Sequence, residues 1–266
     1  MRKIAFFDID GTLTSELDGS IPDSVVTSIR KARAAGHLMF INTGRCFQNV
    51  EPRFRAIGFD GYVCGCGTNI YYKEQELFYH YQSHEMVQKL LHAARETDVD
   101  ILFESRQEVV FDRSRPFHHA KAKKLYYEFR DRHYDMSHEP EAEDFVCDKF
   151  LIWYQTPDQL VTFRKVSDPY FECIDRGGEV REFVPYPYSK ASGIQYLLDY
   201  FSIPIEDAYA FGDSNNDLAM LKYVPHSVVM GNAEDPGLFK IADYITGKAS
   251  EDGISHALEH LGFLSS

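Results

Sequence analysis

Short apolar runs alternate with amphipathic stretches of helical period through the first and last parts of this chain, and this pattern restricts the fold more than any other feature. Such alternation is the signature of strand and crossover-helix units around a parallel sheet. Residues 3–7 read as a buried strand. Pro22 suits the first turn of a helix whose apolar positions Val25, Val26, Ile29 and Ala32 share one side, and Gly36 is placed to stop it. A second strand is expected at 38–41, a helix around 47–57 and a third strand at 62–64. Residues 70–72 and 77–81, separated by Lys73-Glu74-Gln75-Glu76, read as a hairpin.

From about Gln82 the texture changes to helix, paired strands, a connection rich in histidine and glutamate, and further strands at 150–154, 171–174 and 180–184. This block reads as α+β. Alternation returns after Pro185 and Pro187, with a helix near 192–200, a strand at 208–211, a helix near 216–223 and a strand at 227–230. The expected architecture is an α/β core made of residues 1–81 and 186–266, with an α+β domain of residues 82–185 inserted into it. A chain of 266 residues is long enough for that division.

The formal net charge of −13 repels polyanions, so neither nucleic acid nor an anionic membrane is an expected partner. Lys121, Lys123 and Lys124 form the one tight basic cluster, and acidic residues close by make it a solvated helix face. The cysteines at 46, 64, 66, 147 and 173 are odd in number and irregular in spacing, which points away from a disulfide framework and toward a reducing, cytoplasmic setting. The start of the chain has a basic tip, but Asp8 and Asp10 cut its apolar run far short of a signal or membrane segment.

Chemistry concentrates where apolar runs end. Asp8-Ile9-Asp10-Gly11-Thr12 places paired carboxylates directly after the first strand, at the sheet edge where ligands of open α/β folds collect. Close acidic groups repel each other and favour a hard cation, and oxygen donors describe magnesium better than zinc. An Asp-Gly pair alone would be only a turn. A second acidic run, Gly212-Asp213-Ser214-Asn215-Asn216-Asp217, also follows an apolar strand, so Asp213 is expected at the same edge. Asn42-Thr43-Gly44-Arg45 adds a hydroxyl and backbone N–H groups suited to phosphate oxygens, and Lys190 offers a cation just ahead of a helix.

These segments, in this order, resemble the haloacid dehalogenase-like superfamily, and within it the Cof-type phosphatases. The resemblance spans nearly the whole chain. It implies a Rossmann-like core sheet of strand order 5-4-1-2-3 with a cap inserted between the Thr43 and Lys190 segments. It also implies that Asp8 is the nucleophile and Asp10 the acid and then the base. Mg2+ would be held by Asp8, the backbone carbonyl of Asp10 and Asp213. The phosphate would be cradled by Thr43, the backbone N–H groups of Ile9 and Gly44, Lys190 and Asn216, with Asp217 supporting the metal or Lys190. One departure is Cys66-Gly67, where such proteins commonly have Asn-Gly.

The implied function is hydrolysis of a small phosphate monoester, a sugar phosphate first, through an aspartyl-phosphate. Phosphoryl transfer to another alcohol is the enzymatic rival, and a sensor that binds a phosphorylated metabolite without turnover is the non-enzymatic one. Cys64 and Cys66 lack the further pair that a zinc site needs, and His118, His119, His133 and His138 fit no familiar metal spacing. The segment 65–70 lacks the last glycine of a dinucleotide loop, and no P-loop pattern occurs.

Overall fold

The computed structural model describes residues 2–264. Its strands are β1 (Ile4–Phe7), β2 (Leu38–Asn42), β3 (Gly61–Cys64), β4 (Asn69–Tyr72), β5 (Gln75–Tyr79), β6 (Asp100–Glu104) and β7 (Val109–Phe111). They continue with β8 (Lys149–Trp153), β9 (Phe171–Asp175), β10 (Val180–Pro185), β11 (Ala208–Gly212), β12 (His226–Val229) and β13 (Tyr244–Ile245). The chain divides into two compact units. One comprises the described residues up to Gly44, Val50–Phe78 and the described residues from Tyr188 onward; the other comprises Arg45–Asn49 and Tyr79–Pro187.

The first unit is built on one sheet of order β13-β12-β11-β1-β2-β3-β4-β5. Its strands from β13 to β3 run parallel, and β4 returns antiparallel to β3. Numbering β1, β2, β3, β11 and β12 in chain order gives 5-4-1-2-3, so the expected order holds, extended by β13 at one edge and the hairpin at the other. The central strands are apolar throughout because both faces are covered. Ile4, Phe6, Leu38, Phe40, Ala208 and Ala210 pack with Ile194, Leu197 and Leu198 of the helix Lys190–Phe201. The alternate residues Ala5, Phe7, Met39 and Ile41 are equally buried on the opposite face, where the helix Asp23–Ala34 meets β2 and the helix Gly253–His260.

Two local expectations need correction. The helix expected around 47–57 is instead a short turn at Phe47–Asn49 and a single helical turn at Pro52–Arg55. Pro52 removes a backbone donor and holds Glu51 extended, at ψ 152°, so no helix runs through it. Pro22 is not inside the first turn but caps the helix that starts at Asp23. Val26 is only half-buried there, and Ser28 takes the inner position with its hydroxyl 2.7 Å from that of Ser255.

The second unit is an antiparallel sheet of order β7-β6-β8-β10-β9. One face carries Ile101, Phe103, Phe150, Ile152 and Phe183, packed with Leu90, Leu91 and Ala94 of the helix His84–Glu96 and Phe163 of the helix Pro157–Ser167. The other carries Leu102, Phe111 and Trp153, packed with Ala122 and Phe129 of the helix Ala120–Asp131. Two-sided cover and antiparallel pairing are what α+β texture implies. Phe129 and Trp153 are core residues, whereas Tyr127 is 41% exposed. No helix among the described residues is long and apolar enough to cross a membrane.

Candidate active site

Strand register brings the site together. Phe7 lies opposite Ile41 of β2 and Phe211 of β11, so Asp8 leaves the sheet level with Asn42 on one side and Gly212 on the other. The Asp8 backbone N–H continues the ladder, donating to the Phe211 carbonyl at 3.0 Å. The chain then makes one wide turn over Ile9–Leu13, closed by the Thr14 N–H on the Ile9 carbonyl at 3.1 Å. Gly11 sits in that turn at φ +76°, and a Cβ there would lie 2.3 Å from Asp213 Oδ2. Only glycine admits both the left-handed backbone and this close approach.

Asp8, Asp213 and Asp217 each place a carboxylate oxygen within 4.8 Å of the others. Lys190 closes the group: its Nζ donates to Asp8 Oδ1 and to Asp217 Oδ1, both at 2.6 Å. Lys190 opens its helix behind the cap residue Ser189, whose hydroxyl accepts from the Ser192 N–H at 3.2 Å. Asn42 of β2 fixes the same residue by donating from Nδ2 to the Lys190 carbonyl at 3.0 Å. A lone lysine in a sequence is usually solvated, yet here the side chain is 1% exposed. Burial on this scale is tolerable only because two carboxylates pair with it.

The roles of the acids differ. Asp217 is engaged by both oxygens, Oδ1 with Lys190 and Oδ2 with the Asp213 and Ser214 N–H groups at 3.0 and 3.1 Å. Its bonds fold the turn after β11, and a Cβ on Gly212 would meet its Cβ at 2.6 Å. The bonds described engage one oxygen each of Asp8 and Asp213, the latter through Thr12 Oγ1 at 2.9 Å. Asp10 is exposed and its side chain is outside the three-carboxylate group.

Electrostatics show what the group lacks. Burial, then the Asp217 charge, push the Asp8 carboxyl up to about 6 against the pull of Lys190. Burial, then Asp217 and Asp8, push Asp213 up to about 8. For Lys190, burial weighs against the ammonium, but Asp217 and Asp8 outweigh it and hold the group above the ordinary lysine range. Close carboxylates whose ionisation is this costly fit a hard divalent cation, which would supply the charge that one lysine cannot.

Thr43 is buried after β2, its N–H donating to the Val63 carbonyl at 2.9 Å and its carbonyl accepting from Cys66 at 3.1 Å. Ile9 is buried within the turn and Gly44 is half-buried. Asn216 lies in the tight turn Asn215–Asp217, where its Oδ1 accepts from the Ser214 hydroxyl. The residues unforeseen in the sequence are Thr12, Asn42 and Asn232, the last donating to the Gly11 carbonyl at 2.8 Å and accepting from Ala249 at 2.9 Å. Asn232 follows β12, so its place after a parallel strand was the available signal. Cys64 and Cys66 are buried, Cys66 at φ +56°.

A parallel sheet with a buried lysine and carboxylates at the carboxyl edge of its central strands defines an α/β fold with a candidate catalytic group at its ligand edge. Comparison with known proteins makes the class specific. Residues 5–258 match the family model of the haloacid dehalogenase-like hydrolases. YkrA of Bacillus subtilis (strain 168), which carries a provisional phosphatase name, is 30% identical over 98% of each chain. YitU of the same organism, a 5-amino-6-(5-phospho-D-ribitylamino)uracil phosphatase, is 26% identical over 95% of this chain and 94% of its own. The solved structure of the subclass IIB sugar phosphatase BT4131 superposes with a TM-score of 0.82 at 27% identity, over 98% of this chain and 99% of the other. The chain belongs to the haloacid dehalogenase-like hydrolases. Within them it is a phosphatase, the enzyme class its motifs lead one to expect.

Proposed function

We propose that the chain hydrolyses a small phosphate monoester, a sugar phosphate first, with Mg2+ as cofactor and an aspartyl-phosphate on Asp8 as intermediate. The observation that carries this reading is the meeting of Asp8, Asp213 and Asp217 with Lys190 in one buried group. Asp8, Asp213 and the Asp10 backbone carbonyl would hold Mg2+, which when bound supplies charge that lets a carboxylate approach an anionic ester.

Asp8 is aimed by Lys190 and attacks phosphorus; the bond to phosphorus forms as the ester P–O bond breaks. Asp10, exposed beside it, delivers its proton to the leaving alkoxide and then takes one from the water that attacks the acyl phosphate. That second displacement releases inorganic phosphate and restores both aspartates. Thr43, the N–H groups of Ile9 and Gly44, Lys190 and Asn216 bind the phosphoryl oxygens, and Asp217 holds Lys190 and the turn after β11. A core of residues 1–81 and 186–266 and a specificity domain of 82–185 belong to the same reading, supported by the two compact units. So does a cytoplasmic setting, supported by cysteines that are all thiols.

The test is a panel of phosphorylated metabolites assayed with Mg2+ and again with chelator, scored for inorganic phosphate and for phosphorylated alcohol acceptor. Phosphate release that chelator abolishes, together with acid-stable label on the wild type and none on Asp8→Asn, is the expected result. Folded protein with no Mg2+-dependent release from any ester would overturn the reading, and label passing mainly to the alcohol would make it a phosphotransferase.

A further inference from the structure

Strand β2 is Leu38-Met39-Phe40-Ile41-Asn42, four apolar residues and one amide, all of them buried. Asn42 is 0% exposed. Its Nδ2 donates to the Lys190 carbonyl at 3.0 Å, and since only the nitrogen of an amide can donate to a carbonyl, this bond fixes which way the group faces. Its other end, Oδ1, is buried without a hydrogen-bond partner.

Folding gains little from this arrangement. A buried polar atom left unpaired costs at least as much as a typical intramolecular hydrogen bond contributes net. Nor does the acceptor depend on the amide, because Lys190 is the first residue of its helix, where a carbonyl already receives the N–H four positions on. An apolar side chain of similar size at position 42 would serve the fold as well or better.

The amide ties together two segments of the candidate site. Asn42 directly precedes Thr43, and Lys190 reaches Asp8 and Asp217 from the peptide that Asn42 holds. The turn Gly65–Gly67 braces the same two segments a second time. In it the Cys66 N–H donates to the Thr43 carbonyl at 3.1 Å, and Gly67 lies so near Ser189 that a Cβ there would stand 2.2 Å from the Ser189 carbonyl oxygen. The Thr68 hydroxyl closes the turn on the Gly65 carbonyl at 3.0 Å.

We propose that Asn42 is a positioning residue, whose amide sets the spacing between the Thr43 hydroxyl and the Lys190 ammonium so that both meet one phosphoryl group. This rests on the reading of the chain as a phosphomonoester hydrolase. Asn42 touches no reacting atom and acts through the Lys190 peptide. Because Thr43 and Lys190 address the phosphoryl oxygens and not the alcohol, loss of the amide has the same effect on every ester.

Asn42→Leu and Asn42→Val remove the donor and the unpaired oxygen together and leave an apolar side chain at the end of the strand. In each, kcat/KM should fall about 10- to 100-fold, equally for p-nitrophenyl phosphate and for glycerol phosphate, while Tm holds or rises in at least one. A residue needed only for folding would behave in the opposite way, lowering Tm in both. A further arm needs no turnover: calorimetric titration with inorganic phosphate in the presence of Mg2+ should show affinity weakened about 2- to 10-fold, the net worth of one hydrogen bond. Unchanged kcat/KM in either folded variant, a loss confined to one ester, or a Tm that falls in both variants overturns the positioning role and leaves the hydrolase reading intact. If the wild type hydrolyses no ester while phosphate affinity still depends on the amide, the hydrolase reading fails and Asn42 keeps its role; phosphate affinity unaltered as well would end both.

Discussion

Asp8 and Asp10 stand two positions apart, yet one is sealed in the carboxylate group and the other faces solvent. That separation suits a division between attack and proton transfer. Asp10→Asn should lower turnover about 10²- to 10⁴-fold, read by steady-state phosphate release, while protein phosphorylated on Asp8 remains detectable after acid quench. Near-normal turnover would end the proton-transfer role. Lys190→Met should do something different, leaving Asp8 and Asp217 buried without their cation. Breaking a buried pair this way costs about 3–5 kcal/mol, and the loss should shrink at acidic pH, where the raised Asp8 carboxyl accepts a proton instead. A loss measured by chemical denaturation that stays constant from neutral pH down to pH 5 would contradict it. That Asp8 and Asp213 end at one sheet edge was legible in the sequence, because each directly follows an apolar run that reads as a parallel strand. The burial of Lys190 was not, since one lysine before a helix looks the same whether it meets water or two carboxylates.

At the scale of elements, the turns after β1 and β11 interlock, with Gly11 against Asp213 and Gly212 against Asp217. Gly11→Ala should strain a backbone at φ +76° by about 1–3 kcal/mol and displace the Asp213 carboxylate. The expected outcome is Mg2+ affinity weakened about tenfold or more, by calorimetry, with circular dichroism unchanged; unaltered affinity would show that the contact does not shape the site. Strands were the most readable elements, because apolar runs buried on both faces leave little ambiguity. The stretch around Pro52, where a helix is expected over 47–57, holds a single helical turn because the proline lets no helix run through it.

For the molecule as a whole, the raised carboxyls of Asp8 and Asp213 link stability, pH and cation. Their pKa values rise on folding, so between about pH 4 and 8 the folded chain binds more protons than the unfolded one. Without a divalent cation, stability should therefore be higher at the acidic end of that window and fall as pH rises through it. Mg2+ should oppose the fall, its stabilising effect growing with pH because it replaces protons that are leaving. The shift in Tm on adding Mg2+ should be small at pH 5 and several degrees, on the order of 2–4 °C per kcal/mol, at pH 8. A shift independent of pH would separate cation binding from these carboxyls. The lysine bridge from Asp8 to Asp217, itself held by Asn42, has one more implication. On the proposed mechanism, a carboxylate held in this way has little rotation left to search, so the direction of its attack would be decided when the chain folds and need not be found again at each encounter with an ester.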